Sequence, residues 1–432
     1  MKFSLVSSLT LGLSKLQVAM ARYVMYVDQY HLTELPNKTV TAGADTVIMA
    51  FANSALFTTS PRGKYTPFES VDTMRARFDD GAKIMVAIGG WGDTAGFSAG
   101  AVSDSSRSLY AKNVAAMVND LGFDGVDIDW EYPGGDGADY KQSGTTNNKK
   151  VSQIDTYPLL LAEIRSALGE DRLLSLAVPG LERNMIAFTP ATAPSIWKSV
   201  DFVSVMAYNL MNRRDTITKH HTDVKGSLAA ITHYLDVISL PAEKANLGFE
   251  FNAHYFTADP ASPCSNGLGC KTVLLENPAD GRDLGKSGAI TFESSNFVNA
   301  PMDLIEAMDG LCGESGSRKC RAGACCSSSG FCGTTPDSCR SNCLHDYISC
   351  TSTSTFETAI ANGVTDEDAG GEYYYDKQNN VFWTWDTPAL IARKFTEIVR
   401  AKGLGGVMAW AAGEDGHDWS HVLALQKGVA DM

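Results

Sequence analysis

Eight short runs of apolar and β-branched residues recur along the chain, and their rhythm limits its fold more than any other feature. They are YVMYV (23–27), TVIMAF (46–51), KIMVAIGG (83–90), GVDIDW (125–130), LLSLAV (173–178), DFVSVMAY (201–208), NLGFEF (246–251) and GGVMAW (405–410). Between them lie segments such as 106–121 and 157–168, whose apolar residues fall at helical spacing. Strands alternating with helices build βαβ units and a parallel sheet. Eight such units predict an α/β chain folded as a (β/α)8 TIM barrel, with its chemistry at the C-terminal ends of the strands.

The first seven runs follow one another at intervals of roughly 25 to 50 residues, but about 150 separate the seventh from the eighth. A barrel needs no such connection, so an insertion is expected there. Residues 253–385 are read as an α+β insertion domain dividing the barrel into 22–252 and 386–432. The insertion opens with Cys264 and Cys270 and closes on the aromatic GEYYYDKQNNVFWTW (371–385). Within it, 311–351 is a small disulfide-rich module, followed by a Ser/Thr linker.

Residues 1–21 read as a signal peptide: Lys2, an apolar stretch, then Ala19-Met20-Ala21 as a cleavage site. That apolar stretch is too short to span a bilayer, which takes about 20 residues; a buried first helix is the competing reading. None of the ten cysteines precedes Cys264, and eight crowd into 312–350, a density suited to an oxidising compartment. A secreted, extracellular protein is expected. The net charge of −14 argues against nucleic-acid or anionic-membrane partners and is compatible with a neutral substrate.

The stretch FDGVDIDWEYPG (123–134) packs four carboxylates into eight residues. In a strand, alternate residues share a face, so Asp127, Asp129 and Glu131 point into the barrel while Val126, Ile128 and Trp130 face the helices. Alternate residues stand about 6.6 Å apart, so their side chains can hydrogen-bond in sequence. Acids this close retain protons, and at least one pKa rises. A carboxyl kept protonated at the strand tip is a general acid, and Glu131 holds that position. An EF-hand-type calcium loop would need glycine where Tyr132 stands, and the interleaved apolar residues disfavour a solvated turn.

DGVDIDWE resembles the signature of the family-18 glycoside hydrolases, the chitinases and their relatives. AIGGW, MAYN and GGVMAW extend the resemblance over the barrel. It implies hydrolysis of β-1,4-linked N-acetylglucosamine in chitin, with Glu131 protonating the glycosidic oxygen and the substrate's own acetamido oxygen attacking. By the same resemblance, Asp129 orients the acetamido group and Asp127 shares a proton with Asp129. Tyr208 would donate to the acetamido oxygen, Trp410 would floor the sugar, and Tyr26 would donate from beneath the acids. Trp91 is a further stacking candidate. The chain departs from the family pattern at Ala87, where Ser is common, and at Asn209, where Asp is common. It departs again at Phe251-Asn252-Ala253-His254, where Tyr-Gly-Arg is usual. Arg213 or Arg214 would replace the missing arginine at the sugar, or else be solvated.

The cysteine order from Cys312 to Cys350, with CCSSSGFCG, resembles the hevein-type chitin-binding module. Eight cysteines allow 105 pairings; the resemblance implies Cys312–Cys326, Cys320–Cys332, Cys325–Cys339 and Cys343–Cys350, leaving Cys264–Cys270. A zinc site is the alternative to the bridges. Ser327 and Phe331 match the module's sugar-binding positions, but Ser329 and Ser338 stand where aromatics are expected. A purely structural knot competes with a binding role. No cofactor and no metal are expected, His220-His221 being read as a surface pair without a third ligand. The expected protein is a monomeric, fungal-type chitinase, with a chitin lectin or an endo-N-acetylglucosaminidase acting on glycoproteins as rivals.

Overall fold

The computed structural model describes residues 21–142, 147–297, 305–312, 318–321, 324–326, 331–334 and 353–432. The expected signal peptide, Ala21 apart, lies outside them.

Seven barrel strands come first: β1 (Arg22–Asp28), β2 (Thr46–Ala52), β3 (Lys83–Gly89), β4 (Gly125–Asp129), β5 (Leu173–Pro179), β6 (Phe202–Met206) and β7 (Ala245–Glu250). The insertion supplies β8 (Asn252–Thr257) and β9 (Ser287–Thr291). It continues with β10 (Ile305–Glu306), β11 (Arg318–Lys319), β12 (Cys325–Cys326) and β13 (Cys332–Gly333), then β14 (Val364–Asp366), β15 (Gly371–Asp376) and β16 (Val381–Trp385). β17 (Gly406–Trp410) returns to the barrel. The barrel closes in the order β1-β17-β7-β6-β5-β4-β3-β2, with every pair parallel. The (β/α)8 fold read from the eight runs is the fold observed.

Two apolar clusters correspond to the two faces of the pleat. Val24, Tyr26, Ile48, Ala50, Met85 and Ala87 fill the barrel interior. Met25, Val47, Ile84, Val126, Ile128 and Trp130 pack outward against the helices. That alternation is what a two-residue period requires. The helix Asp104–Leu121 illustrates the outer layer. Ser103 caps it reciprocally with Ser106, Gly122 ends it at φ 77°, and Tyr110, Val114 and Val118 are buried. Such a cap satisfies otherwise orphaned amides, and glycine adopts that left-handed ending without steric cost.

β8 starts two residues after β7 ends and enters a five-stranded antiparallel sheet ordered β14-β15-β16-β8-β9, with the helix Thr353–Ala361 nearby in sequence. The disulfide Cys264–Cys270 lies between β8 and β9. In the cysteine-rich stretch β10 pairs with β11 and β12 with β13. Bridges join Cys312 to Cys326 and Cys320 to Cys332. Cys325 is also disulfide-bonded; Cys339, Cys343 and Cys350, and with them the expected bridges Cys325–Cys339 and Cys343–Cys350, lie outside the described residues. Among the described residues no helix is long and apolar enough to cross a membrane.

Candidate active site

The acids of β4 are assembled by strand register. Asp127 stands between Ala87 on β3 and Ser175 on β5. Its Oδ2 accepts from the Tyr26 hydroxyl at 2.8 Å and its Oδ1 from the Ser175 hydroxyl at 2.6 Å. Burial pushes Asp127 up to about 6 while those two hydrogen bonds oppose the rise. Asp129 lies one step nearer the mouth, and its buried Oδ1 has no hydrogen-bond partner. Hydroxyls from the neighbouring strands β1 and β5 thus meet both Asp127 oxygens. Burial, then the charges of Glu131 and Asp127, hold Asp129 well above the usual carboxylate range. Glu131 follows just past the end of β4 and faces the cleft. Burial raises it to about 7; the nearby Tyr132 hydroxyl opposes this and the Glu250 charge adds to it. A carboxyl poised there can give a proton to a bound molecule and take one back near neutrality.

The cleft has a volume of about 310 Å³. Tyr208, two residues past β6, lines it beside Glu131, as do Trp91, Asn209 and Arg214. Trp91 is 52% exposed, while the Tyr208 ring is buried. The Arg214 guanidinium stacks 3.6 Å from the centroid of Tyr140 and donates to the Gly137 carbonyl at 2.9 Å, which holds it against the loop after β4. Trp410, half-buried at the tip of β17, packs between Phe51 and Tyr26, each centroid 5.5 Å away. The opposite wall comes from the insertion: His254 and Phe256 of β8, and Ser287, Gly288 and Ala289 of β9.

Several contributors escape the sequence reading. Ser175 looks like any small strand residue until β5 is paired with β4. Tyr132, in the loop after β4, and Asn184, at the end of a single 3-10 turn after β5, also line the cleft. Glu250, at the tip of β7, receives the Asn209 amide at 3.4 Å. The His220-His221 pair is corrected outright: both residues are buried, at 4% and 0% exposure, rather than lying on the surface. His220 bonds Thr384 at 3.0 Å. The third-ligand geometry expected to be lacking is present in space, since Glu250 and His254 converge on His221. These partners lie some thirty residues away in sequence, so no local spacing announces them. Burial, then the neighbouring His254, holds the His221 imidazole well below its usual pKa, hence neutral.

In the cysteine-rich stretch Phe331 is 58% exposed and bridges to Leu311 through the backbone. Ser327, Ser329 and Ser338 lie outside the described residues.

Comparison with known proteins gives a consistent picture. The sequence profile described as "Glycosyl hydrolases family 18" matches residues 22–415. "Endochitinase 1" of Metarhizium anisopliae is 26% identical over 333 residues, 77% of this chain and 62% of that protein. "Chitinase 1" of Aphanocladium album is 25% identical over 332 residues, 76% of this chain and 61% of that protein. The chain thus spans about three-fifths of the length of these curated relatives. In fold, a glycoside hydrolase family 18 N-acetylglucosaminidase from Paenibacillus barengoltzii superposes with a TM-score of 0.64 at 21% identity, covering 94% of this chain and 99% of that one.

Proposed function

Given that the chain belongs to glycosyl hydrolase family 18, we propose that it is a secreted chitinase cleaving β-1,4 bonds between N-acetylglucosamine units with retention of configuration. The observation that supports this most is the inward row Asp127, Asp129 and Glu131, rising from the buried interior to a cleft bordered by Tyr208. Glu131, raised to about 7, protonates the glycosidic oxygen as the bond to the anomeric carbon breaks. The acetamido oxygen of the same sugar attacks that carbon, forming an oxazolinium ion, and the leaving sugar departs as an alcohol. Asp129, whose buried Oδ1 lacks a partner, accepts the acetamido N–H and balances the positive charge. Tyr208 donates its hydroxyl to the acetamido oxygen, and Trp410 supports the ring from below. Water then attacks the anomeric carbon from the side the leaving group vacated, Glu131 takes its proton, and the acetamide is restored. Asp127, held by Tyr26 and Ser175, shares the proton load of the pair. Asn209 and Arg214 contact sugars from the cleft wall, and Trp91 stacks at its exposed edge. The inserted module adds weak chitin adsorption through Phe331.

The test uses a soluble chitin oligomer. Glu131→Gln keeps the side-chain shape and lacks the transferable proton, so turnover should fall by roughly 10²–10⁴-fold with oligomer binding retained. Undiminished hydrolysis would sink the assignment. Binding without hydrolysis by the unaltered chain would instead identify a lectin, and release of glycans from glycoproteins alone an endo-N-acetylglucosaminidase. Early product should carry the β anomer by proton NMR.

A further inference from the structure

Four buried polar atoms beside the cleft have no hydrogen-bond partner: Nδ1 and Nε2 of His221, Oε2 of Glu250 and Nε2 of His254. They reach one point from three elements: the loop after β6, the tip of β7, and β8. His254 Nε2 lies 3.3 Å from Glu250 Oε2, and His221 Nδ1 lies 3.7 Å from the same oxygen. One ligand atom from each residue falls within 4.8 Å of the others. A folded chain rarely leaves this many buried donors and acceptors unmet unless something else satisfies them. An ion pair between His254 and Glu250 at 3.3 Å would still leave both His221 nitrogens unmet, so it does not account for the cluster.

A metal ion does. Tetrahedral zinc holds nitrogen and oxygen ligands at about 2.0–2.2 Å, which places neighbouring ligand atoms roughly 3.3–3.5 Å apart. Of the two separations to Glu250, 3.3 Å from His254 meets that interval and 3.7 Å from His221 lies just above it. We propose that His221, Glu250 and His254 form a binding site for a zinc-class divalent cation. Two imidazoles and one carboxylate suit zinc, cobalt or nickel, whereas magnesium and calcium favour all-oxygen sets. The imidazoles now stack with centroids 4.0 Å apart and planes at 18°, so binding includes a rotation that fans the rings until both lone pairs meet the ion. The ion satisfies three of the four orphaned atoms, leaving His221 Nε2.

The location gives the site a consequence. Glu250 Oε1 receives the Asn209 amide, next to Tyr208, and His254 lines the cleft. An ion there fastens the turn after β6 to the wall built by β8. Three protein ligands leave a position for water or a sugar oxygen from the cleft.

Metal binding is read directly, so its outcome does not depend on the catalytic assignment. The full chain is stripped with a chelator, dialysed, and titrated with Zn²⁺ and, separately, Co²⁺. One equivalent should bind, Zn²⁺ should raise Tm, and Co²⁺ should give the intense visible bands of low-coordinate cobalt. Glu250→Gln and His254→Gln, each checked for folding by circular dichroism, should weaken binding at least tenfold. His221→Gln provides a third variant should either of these fail to fold. Failure of both ions to bind at tens of micromolar overturns the proposal. So does unchanged affinity in any folded variant, which would put the ion elsewhere.

Discussion

At the scale of single residues, the Ser175 hydroxyl donates to Asp127 from β5, on the opposite side of β4 from Ala87. Because that hydrogen bond favours the ionised acid, Ser175→Ala should raise Asp127 above about 6 and move the acidic limb of the kcat/KM profile upward by about one pH unit. Adding Ala87→Ser to that variant should return the limb towards its starting place, whereas a purely structural role for Ser175 would leave the limb fixed throughout. Glu131 makes a second prediction, about stability. Its pKa rises from 4.5 to about 7 on folding, so the folded state holds the proton more tightly. The contribution is fully present below pH 4.5 and is lost as pH rises through about 7. Glu131→Gln should therefore stabilise the chain by up to about 3 kcal/mol at pH 8 and by almost nothing near pH 4. Urea denaturation at the two pH values checks this, and an equal gain at both would refute it.

Among the elements, β8 and β9 convert an insertion into a wall of the cleft. Ala289, preceded by Ser287 and Gly288, presents a low surface there. Ala289→Trp should fill part of the cleft and raise KM for oligomers at least tenfold, while the basic limb set by Glu131 stays in place. Unchanged KM would remove β9 from the substrate path. The barrel strands were legible because each is a short run dominated by apolar residues, and because a period of two forces the β4 acids and their apolar neighbours onto opposite faces. Asp127, Asp129 and Glu131 announce themselves within five residues. Ser175, Glu250, His221 and His254 do not, since their roles arise from register between strands and from loops that meet only in space.

Across the whole molecule, the described bridges of the cysteine-rich stretch, Cys312–Cys326 and Cys320–Cys332, close within it and tie it to neither barrel nor sheet. Replacing 311–351 with a Gly-Ser linker should leave kcat/KM on soluble oligomers within about twofold and modestly reduce adsorption to insoluble chitin. Phe331→Ala should reproduce most of that reduction, since deleting such an exposed ring forfeits roughly 1–3 kcal/mol of apolar contact. Loss of soluble activity in a folded deletion variant would make the stretch part of the cleft instead. The barrel's closure bears on a different matter, the order of events on the ribosome. Arg22 pairs with Gly406, so β1 waits for every other barrel strand to be made before its second neighbour exists. Until β17 emerges, β1 and β7 are open edges, the kind of unpaired strand that invites pairing with other chains. The closing strand also brings Trp410, so a nascent chain halted before it would hold its acids in an unclosed sheet without the ring that packs between Phe51 and Tyr26.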